Sequence, residues 1–271
     1  MTQDDFDRLQ ALLSSRAGFR LGRDRIHLAE HRLAPVARRE GFDSVEALLA
    51  TLWVKPVASL GWAVIEALLN SETWFRRDRA VFDTFAREVL PAIGRARPEG
   101  RVQVWSAGCS SGQEAYSLAM AGLDAGANID IVATDLSLRA LDKARSGVFS
   151  AFEVQRGLSA RMMLQWFEPA EDAWAVRPAL RNVVRFARHN LLDAPTDDAR
   201  FDIIVCRNVL IEMEPARRGQ VVDYLERRLV DDGVLVLGAE ERIDDDTIAF
   251  RPVGGRSGLY VKSPSAVSRA A

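Results

Sequence analysis

The stretch Val102-Gln103-Val104-Trp105-Ser106-Ala107-Gly108-Cys109-Ser110-Ser111-Gly112-Gln113-Glu114 constrains the fold more than any other part of this chain. An apolar, β-rich run feeds a loop of small residues with glycines at 108 and 112, and Gln113 to Ala121 then carries a helical pattern. Strand, tight turn and helix in that order open a nucleotide-binding α/β domain and place a ligand at the turn. The loop lacks the lysine of a P-loop and does not fit G-x-G-x-x-G, so backbone amides aimed at a pyrophosphate are not required. Small side chains let a flat or zwitterionic ligand lie against the main chain. The alternative is a tight turn that binds nothing.

Downstream the segments keep alternating. A helix is predicted over 113–125, a strand over Asp130–Thr134 ending in Asp135, and a helix over Ser137–Ser146 capped by Ser137. Phe201–Cys206, Gly233–Leu237 and Gly258–Lys262 read as strands, and Pro215–Leu229 as a helix. Such alternation implies a parallel sheet with helices on its faces. Asp135, about twenty residues after the loop, stands where these folds take ribose hydroxyls; its other reading is an ordinary helix-capping residue. Between 147 and 182 the pattern is irregular: Ala151–Trp166 is helical or turn-like, while Trp174–Arg177 and Asn182–Ala187 suggest short strands of a small insertion. The tail 263–271 is expected to be disordered.

Residues 1 to about 95 read as helices throughout. Thr2 and Asp5 form a capping box, Phe6, Leu9, Leu12 and Leu13 a stripe, and Gly18 a stop. The next helix, Asp24 to about Glu40, carries Ile26, Ala29, Leu33 and Ala37 on one face, with Pro35 kinking or dividing it. Helical patterns follow at Ser44–Leu52, Ser59–Leu69 and Asp78–Ile93. From Arg16 to Arg39, seven arginines face only Asp24 and Glu30, a local charge of +5 suited to an acidic surface, or simply a solvated helix face. His27-Leu28-Ala29-Glu30-His31 matches H-x-x-E-H, but the helix is studded with arginine and nothing nearby nominates a third ligand, so no metal is expected.

The whole chain is nearly neutral, with net charge -2 and pI about 6, which gives no general reason to bind nucleic acid. Cys109 and Cys206 lack framework spacing and read as small buried residues of a reducing compartment. No apolar run is long enough to span a bilayer, and the start Met1-Thr2-Gln3-Asp4-Asp5 is acidic where a signal peptide is basic, so a cytoplasmic protein is expected.

Six motifs in order resemble one family, the CheR-type chemoreceptor glutamate O-methyltransferases: Ser71 to Asp78 (SETWFRRD), Trp105 to Tyr116, Ala133-Thr134-Asp135, Ala144 to Gly147 (ARSG), His189 to Leu192 (HNLL), and Cys206 to Ile211 (CRNVLI). The resemblance covers nearly the whole chain. It implies an α/β fold: a doubly wound, mostly parallel sheet of the class I methyltransferase kind, closing with an antiparallel strand. An N-terminal all-α domain over 1–78 would precede the methyltransferase domain over 79–271, which would carry a small inserted β-subdomain at about 148–187.

It also implies S-adenosylmethionine as cofactor and S-adenosylhomocysteine as product. Thr73 and Arg77 would approach the methionine end and the methyl-transfer site, with Arg77 the catalytic residue. Glu114 would hold the methionine part, Asp135 the ribose, Asn190 and Leu191 the adenine, and Asn208 with Val209 the pocket floor. Ser71, Ala107 and Gly108 complete the cofactor set. The implied partners are the cytoplasmic helices of methyl-accepting chemoreceptors, docked by Arg20, Arg23 and Arg32. From chain size a monomer is expected, and without a bilayer-spanning run no membrane insertion.

Departures from the family pattern are Ser71 for Asn, Arg76 for an aromatic, Glu212 for Tyr, and Ala239-Glu240 where Gly-His-Ser-Glu is usual. Glu212 would set a carboxylate near the acceptor side, where it would repel a substrate glutamate. This opens two alternatives: a cofactor-binding signalling module with altered catalysis, or a methyltransferase with another protein substrate. A short insertion around 168–182 implies no tethering to a receptor's C-terminal peptide.

Overall fold

The computed structural model describes residues 1–271 except 56, 196, 244–248 and 264–271. By their contacts, the residues divide into one unit of Met1–Asn70 with Glu212–Arg218, and a second of Ser71–Ile211 with Gly219–Ala271. The expected disorder of the 263–271 tail falls, past Ser263, outside the described residues.

The first unit is built from α1 (Gln3–Ala17), α2 (Ile26–Arg39), α3 (Val45–Val54) and α4 (Ala58–Leu68). The Thr2 side chain accepts from the Asp5 amide, Asp5 answers on the Thr2 amide, and Gly18 ends α1 in the left-handed region at φ 75°. Phe6, Leu9 and Leu13 of the predicted stripe are buried, whereas Leu12 is half-buried. Pro35 lies inside α2 without dividing it, and Ala29, Leu33, Val36 and Ala37 form the buried face. Glu212–Arg218 joins this unit through backbone bonds: the Arg20 amide donates to the Glu212 carbonyl and the Glu214 amide to the Gly18 carbonyl, both at 2.8 Å.

The second unit begins at Ser71, earlier than the boundary expected at 78, because residues 71–78 bond within it. The Arg76 amide donates to Ser117 Oγ at 3.0 Å. Phe75, fully buried, meets Phe149 and Phe167 edge-on at 5.1 and 5.4 Å, contacts worth about 0.5–1.5 kcal/mol each beyond burial. The helix expected over 78–93 is α5 (Arg79–Thr84) and α6 (Leu90–Arg95) with a π turn, Phe85–Val89, between them.

The chain then runs through β1 (Arg101–Ala107), α7 (Gln113–Asp124), β2 (Asn128–Asp135), α8 (Leu138–Ser146), β3 (Val148–Ser150), α9 (Ala151–Gln155), α10 (Ala160–Trp166), β4 (Phe167–Ala170), β5 (Ala173–Val176), α11 (Pro178–Arg181) and β6 (Val184–Arg188). It closes with β7 (Phe201–Cys206), α12 (Pro215–Arg228), β8 (Leu229–Leu237), β9 (Phe250–Pro252) and β10 (Leu259–Lys262).

The main sheet has the order β6-β2-β1-β7-β8-β10-β9. Its first five strands are parallel, and β10 pairs antiparallel with both β8 and β9. Strand β7 is buried at all six positions, as an apolar strand covered on both faces must be. A separate antiparallel sheet, β3-β5-β4, is the inserted subdomain. That insertion is shorter than the expected 148–187, because Val184 to Arg188 pair with Ile131 to Asp135 and so extend the main sheet. Strand β9 was not expected; it is short and only Phe250 in it is buried. Among the described residues, no helix is long and apolar enough to cross a membrane.

Candidate active site

Four neighbouring parallel strands, β6, β2, β1 and β7, bring their carboxyl ends to one edge of the second unit. Ala107 ends β1, Gly108 follows it, Glu114 lies in the first turn of α7, and Asp135 ends β2. Asn190 and Leu191 follow β6, and Asn208 and Val209 follow β7. The topology thus gathers these expected cofactor residues where an open α/β sheet binds ligands.

The turn after β1 is fixed by the tip of β2. The amides of Gly108 and Cys109 donate to the Thr134 carbonyl at 2.8 and 2.9 Å, and the Ser110 amide to Asp135 Oδ2 at 2.7 Å. These donors are consumed internally, in keeping with a loop that does not cradle phosphate. Gly108 has φ +82°, and a Cβ there would lie 2.5 Å from Val209 Cγ2, so glycine lets the β1 and β7 loops meet. Asp135 also accepts from the Ser137 amide at 2.9 Å through Oδ1.

Glu114 is buried, and its Oε1 accepts from Ser106 Oγ at 2.9 Å. Its Oε2 accepts from Arg207 Nη1 at 3.1 Å. Burial pushes its carboxyl above the ordinary glutamate range, and the Arg207 charge is the strongest opposing influence. Arg207 Nη2 donates to Asp78 Oδ2 and to the Arg77 carbonyl, both at 2.7 Å. Ser71 is linked to the β1 loop by its carbonyl, which accepts from Ser110 Oγ at 2.9 Å. Thr73 is half-buried in the same segment. The Arg77 guanidinium lies 4.5 Å over the Trp74 ring and donates to the Glu72 carbonyl at 3.1 Å.

Two residues that sequence reasoning left without a role organise this edge. Arg207 is the first; a lone cation directly after the apolar run Ile203–Cys206 was the available signal. Glu241 is the second, 3% exposed: its Oε2 accepts from the amides of Asn208 at 2.6 Å and Gly238 at 2.8 Å, and its Oε1 from the amide of Ile211 at 3.1 Å. It thereby holds the β7 loop, where Asn208 sits at φ 58°. Near the other end of the edge, Tyr224 Oη lies 2.9 Å from His189 Nε2, and Trp105 Nε1 donates to Thr134 Oγ1 at 2.9 Å.

In the helical unit, the Glu212 carboxylate accepts from Asn70 Nδ2 at 2.9 Å and pairs with Arg25 at 3.3 Å, so it is partnered rather than free to repel. Arg20, Arg25, Arg32, Asn70 and Glu212 share one cleft. Arg32 Nη1 donates to the Leu68 and Leu69 carbonyls at 3.1 and 3.2 Å, closing the end of α4. Of the three expected docking arginines it therefore has a structural task, whereas Arg23 is 75% exposed and only loosely paired with Asp7 at 3.4 Å. Among the described residues no group of three His, Cys, Asp or Glu is placed to hold a metal, and His27 simply lies near Glu30 at 3.5 Å.

A doubly wound sheet with a buried carboxylate under its first turn and an aspartate at its second strand tip defines an α/β protein that binds a nucleoside cofactor. The family described as CheR methyltransferase, SAM binding domain, matches residues 71–259. Chemotaxis protein methyltransferase Cher2 of Pseudomonas putida is 34% identical over 251 residues, covering 89% of this chain and 90% of that protein. Chemotaxis protein methyltransferase 1 of Pseudomonas aeruginosa is 33% identical over 252 residues, covering 89% and 91%. The probable biofilm formation methyltransferase WspC of Pseudomonas aeruginosa is 34% identical over 200 residues, covering 71% of this chain and 46% of that one. The chain belongs to the CheR methyltransferase family, and its cofactor is S-adenosylmethionine.

Proposed function

We propose that this methyltransferase transfers the cofactor's methyl group to glutamate side-chain carboxylates of chemoreceptors, acting in chemotaxis or related sensory signalling. The observation that carries the reading is the Arg77 turn: a guanidinium lying over Trp74, on a backbone that Arg207 ties to Glu114. The donor set suits the cofactor. Glu114 offers a buried carboxylate to an ammonium, Asp135 sets a carboxylate at the tip of β2 for ribose hydroxyls, and the Asn190–Leu191 loop flanks the adenine side. Asn208 and Val209 form the floor, with Ser71, Thr73, Ala107 and Gly108 lining the remainder.

When bound, S-adenosylmethionine supplies an electrophilic methyl group on a sulfonium. A substrate glutamate is already ionised near neutral pH, so no general base is needed, and the residues' task is alignment and exclusion of water. Arg77 can hold the attacking carboxylate in a two-point geometry, provided the grip leaves it nucleophilic. Arg20 and Arg23, on a basic segment, favour an acidic helical partner and make association salt-dependent. A monomer meets all of these requirements.

The test is transfer of labelled methyl groups to membranes carrying chemoreceptors. Base-labile label on the receptor supports the reading; tight binding of S-adenosylhomocysteine without label refutes it. A second reading, methyl transfer to an acceptor of another signalling route, is favoured by the likeness to WspC, and label on a different protein would establish it.

A further inference from the structure

Arg207 stands one residue beyond β7, with its side chain only 1% exposed. Taking a guanidinium out of water costs several kcal/mol unless its donors are met. Here Nη1 reaches Glu114 and Nη2 reaches both Asp78 and the Arg77 carbonyl, while the buried Nε has no hydrogen-bond partner and the Phe82 ring lies 5.3 Å from Cζ. Two of the three bonds fall on the turn that carries Arg77. That turn is strained, with Arg76 at φ 52° and Asp78 at φ 58°, conformations that cost an L-residue about 1–2 kcal/mol each. Asp78 makes no side-chain cap on the following helix, so its bond to Arg207 is what orients it.

We infer that Arg207 is a positioning residue for methyl transfer. It joins the Arg77–Asp78 turn and the Glu114 carboxylate in one bonded unit, so cofactor binding and the placing of Arg77 depend on the same side chain. This rests on the proposed roles of Glu114 and Arg77.

The titratable groups around Glu114 are Arg207, Glu241 and the thiols of Cys109 and Cys206, both kept protonated by burial. Glu241 repels charge on Glu114, and the Arg207 cation is the strongest influence that favours it. Without Arg207, Glu114 takes up a proton more readily and loses its attraction for an ammonium.

Calorimetric titration with S-adenosylhomocysteine between about pH 6 and 8.5 tests this on the parent, Arg207→Met, and Arg207→Met combined with Glu114→Gln. Arg207→Met is expected to bind at least about tenfold more weakly at neutral pH, with affinity climbing with pH more steeply than in the parent. The double variant is expected to bind weakly with no such added slope. Asp78→Asn, which frees only the turn, is expected to bind within about twofold of the parent while kcat on receptor membranes falls about tenfold.

Parent-like affinity and pH profile in Arg207→Met would overturn the inference, as would an equal, pH-independent loss with or without Glu114. If circular dichroism shows Arg207→Met unfolded, Arg207→Lys decides: the charge remains but the fork is lost, so near-parent binding with reduced kcat is expected, and parent values in both would refute it. Failure of the parent itself to bind S-adenosylhomocysteine would instead refute the site assignment.

Discussion

Glu241→Gln isolates the support of the β7 loop, because it changes charge and hydrogen-bond direction at nearly constant volume. Glu241 accepts from three backbone amides, two on Oε2 and one on Oε1, with the residue almost wholly buried. In the best orientation, a glutamine keeps its oxygen toward Asn208 and Gly238 and turns its NH2 toward the Ile211 amide. One charge-assisted bond is then lost, a donor is left facing a donor, and the remaining two bonds weaken to neutral ones.

A bond to a charged group contributes about 1.5–3 kcal/mol, and a buried unpaired amide costs about 1–3 kcal/mol, so a loss of about 3 kcal/mol is expected. At about 2–4 °C per kcal/mol for a protein of this size, the melting transition of the sheet unit should fall by about 6–12 °C. Differential scanning calorimetry is the assay, since two units need not melt together. Asn208 and Val209 should shift with the loop, so S-adenosylhomocysteine should bind more weakly. Glu240→Gln, at an exposed neighbour, should change stability by less than about 0.5 kcal/mol. A Glu241→Gln transition within about 2 °C of the parent would refute the claim that this carboxylate holds the floor.

Three further outcomes follow from the same geometry. Gly108→Ala places a methyl 2.5 Å from Val209 Cγ2 at φ +82°, so it should cost about 2–4 kcal/mol by denaturation; Val209→Ala should restore the packing part and leave about 1–2 kcal/mol of backbone cost. Burial holds the His189 imidazole below its ordinary range, so the stability tied to its neutral form is present above about pH 6.5 and is lost as pH falls through the depressed value. Melting curves between about pH 7.5 and 5 should show that loss, at most about 1.4 kcal/mol per pH unit, and His189→Gln should flatten it. Arg20→Glu with Arg23→Glu should weaken receptor methylation, most at low salt, and leave S-adenosylhomocysteine binding intact; equal loss of both would count against docking. Arg32→Glu should additionally lower the melting temperature, because it uncouples the end of α4.

The β1–α7 unit was legible because it is local: an apolar run, small residues at the turn and a helical pattern after it all report on neighbours in sequence. Ser137, Gly18 and the Thr2–Asp5 box were legible for the same reason. What pairs across long separations was not. Val184–Arg188 looks like any short strand, and only its ladder to β2 decides that it belongs to the main sheet rather than the insertion. Arg207 and Glu114 are 93 residues apart, and Glu241 reaches Asn208 across 33. A buried ion pair gives no periodic signal, since neither residue belongs to an apolar pattern and each is explained only by its partner.

Glu212 shows how a departure from a family pattern can mislead when it is judged alone. Read by itself, a carboxylate in place of a phenol is an added negative charge facing an anionic substrate. In the fold its two oxygens meet Asn70 and Arg25, while its carbonyl accepts from the Arg20 amide. An exposed pair such as Arg25–Glu212 contributes about 0–1 kcal/mol, so it adds little to stability, yet it offsets the charge of the Glu212 carboxylate. The amide of Asn70 satisfies the second oxygen at no cost in charge. Glu212 therefore belongs to the helical unit's own polar network, and its charge is met within that unit.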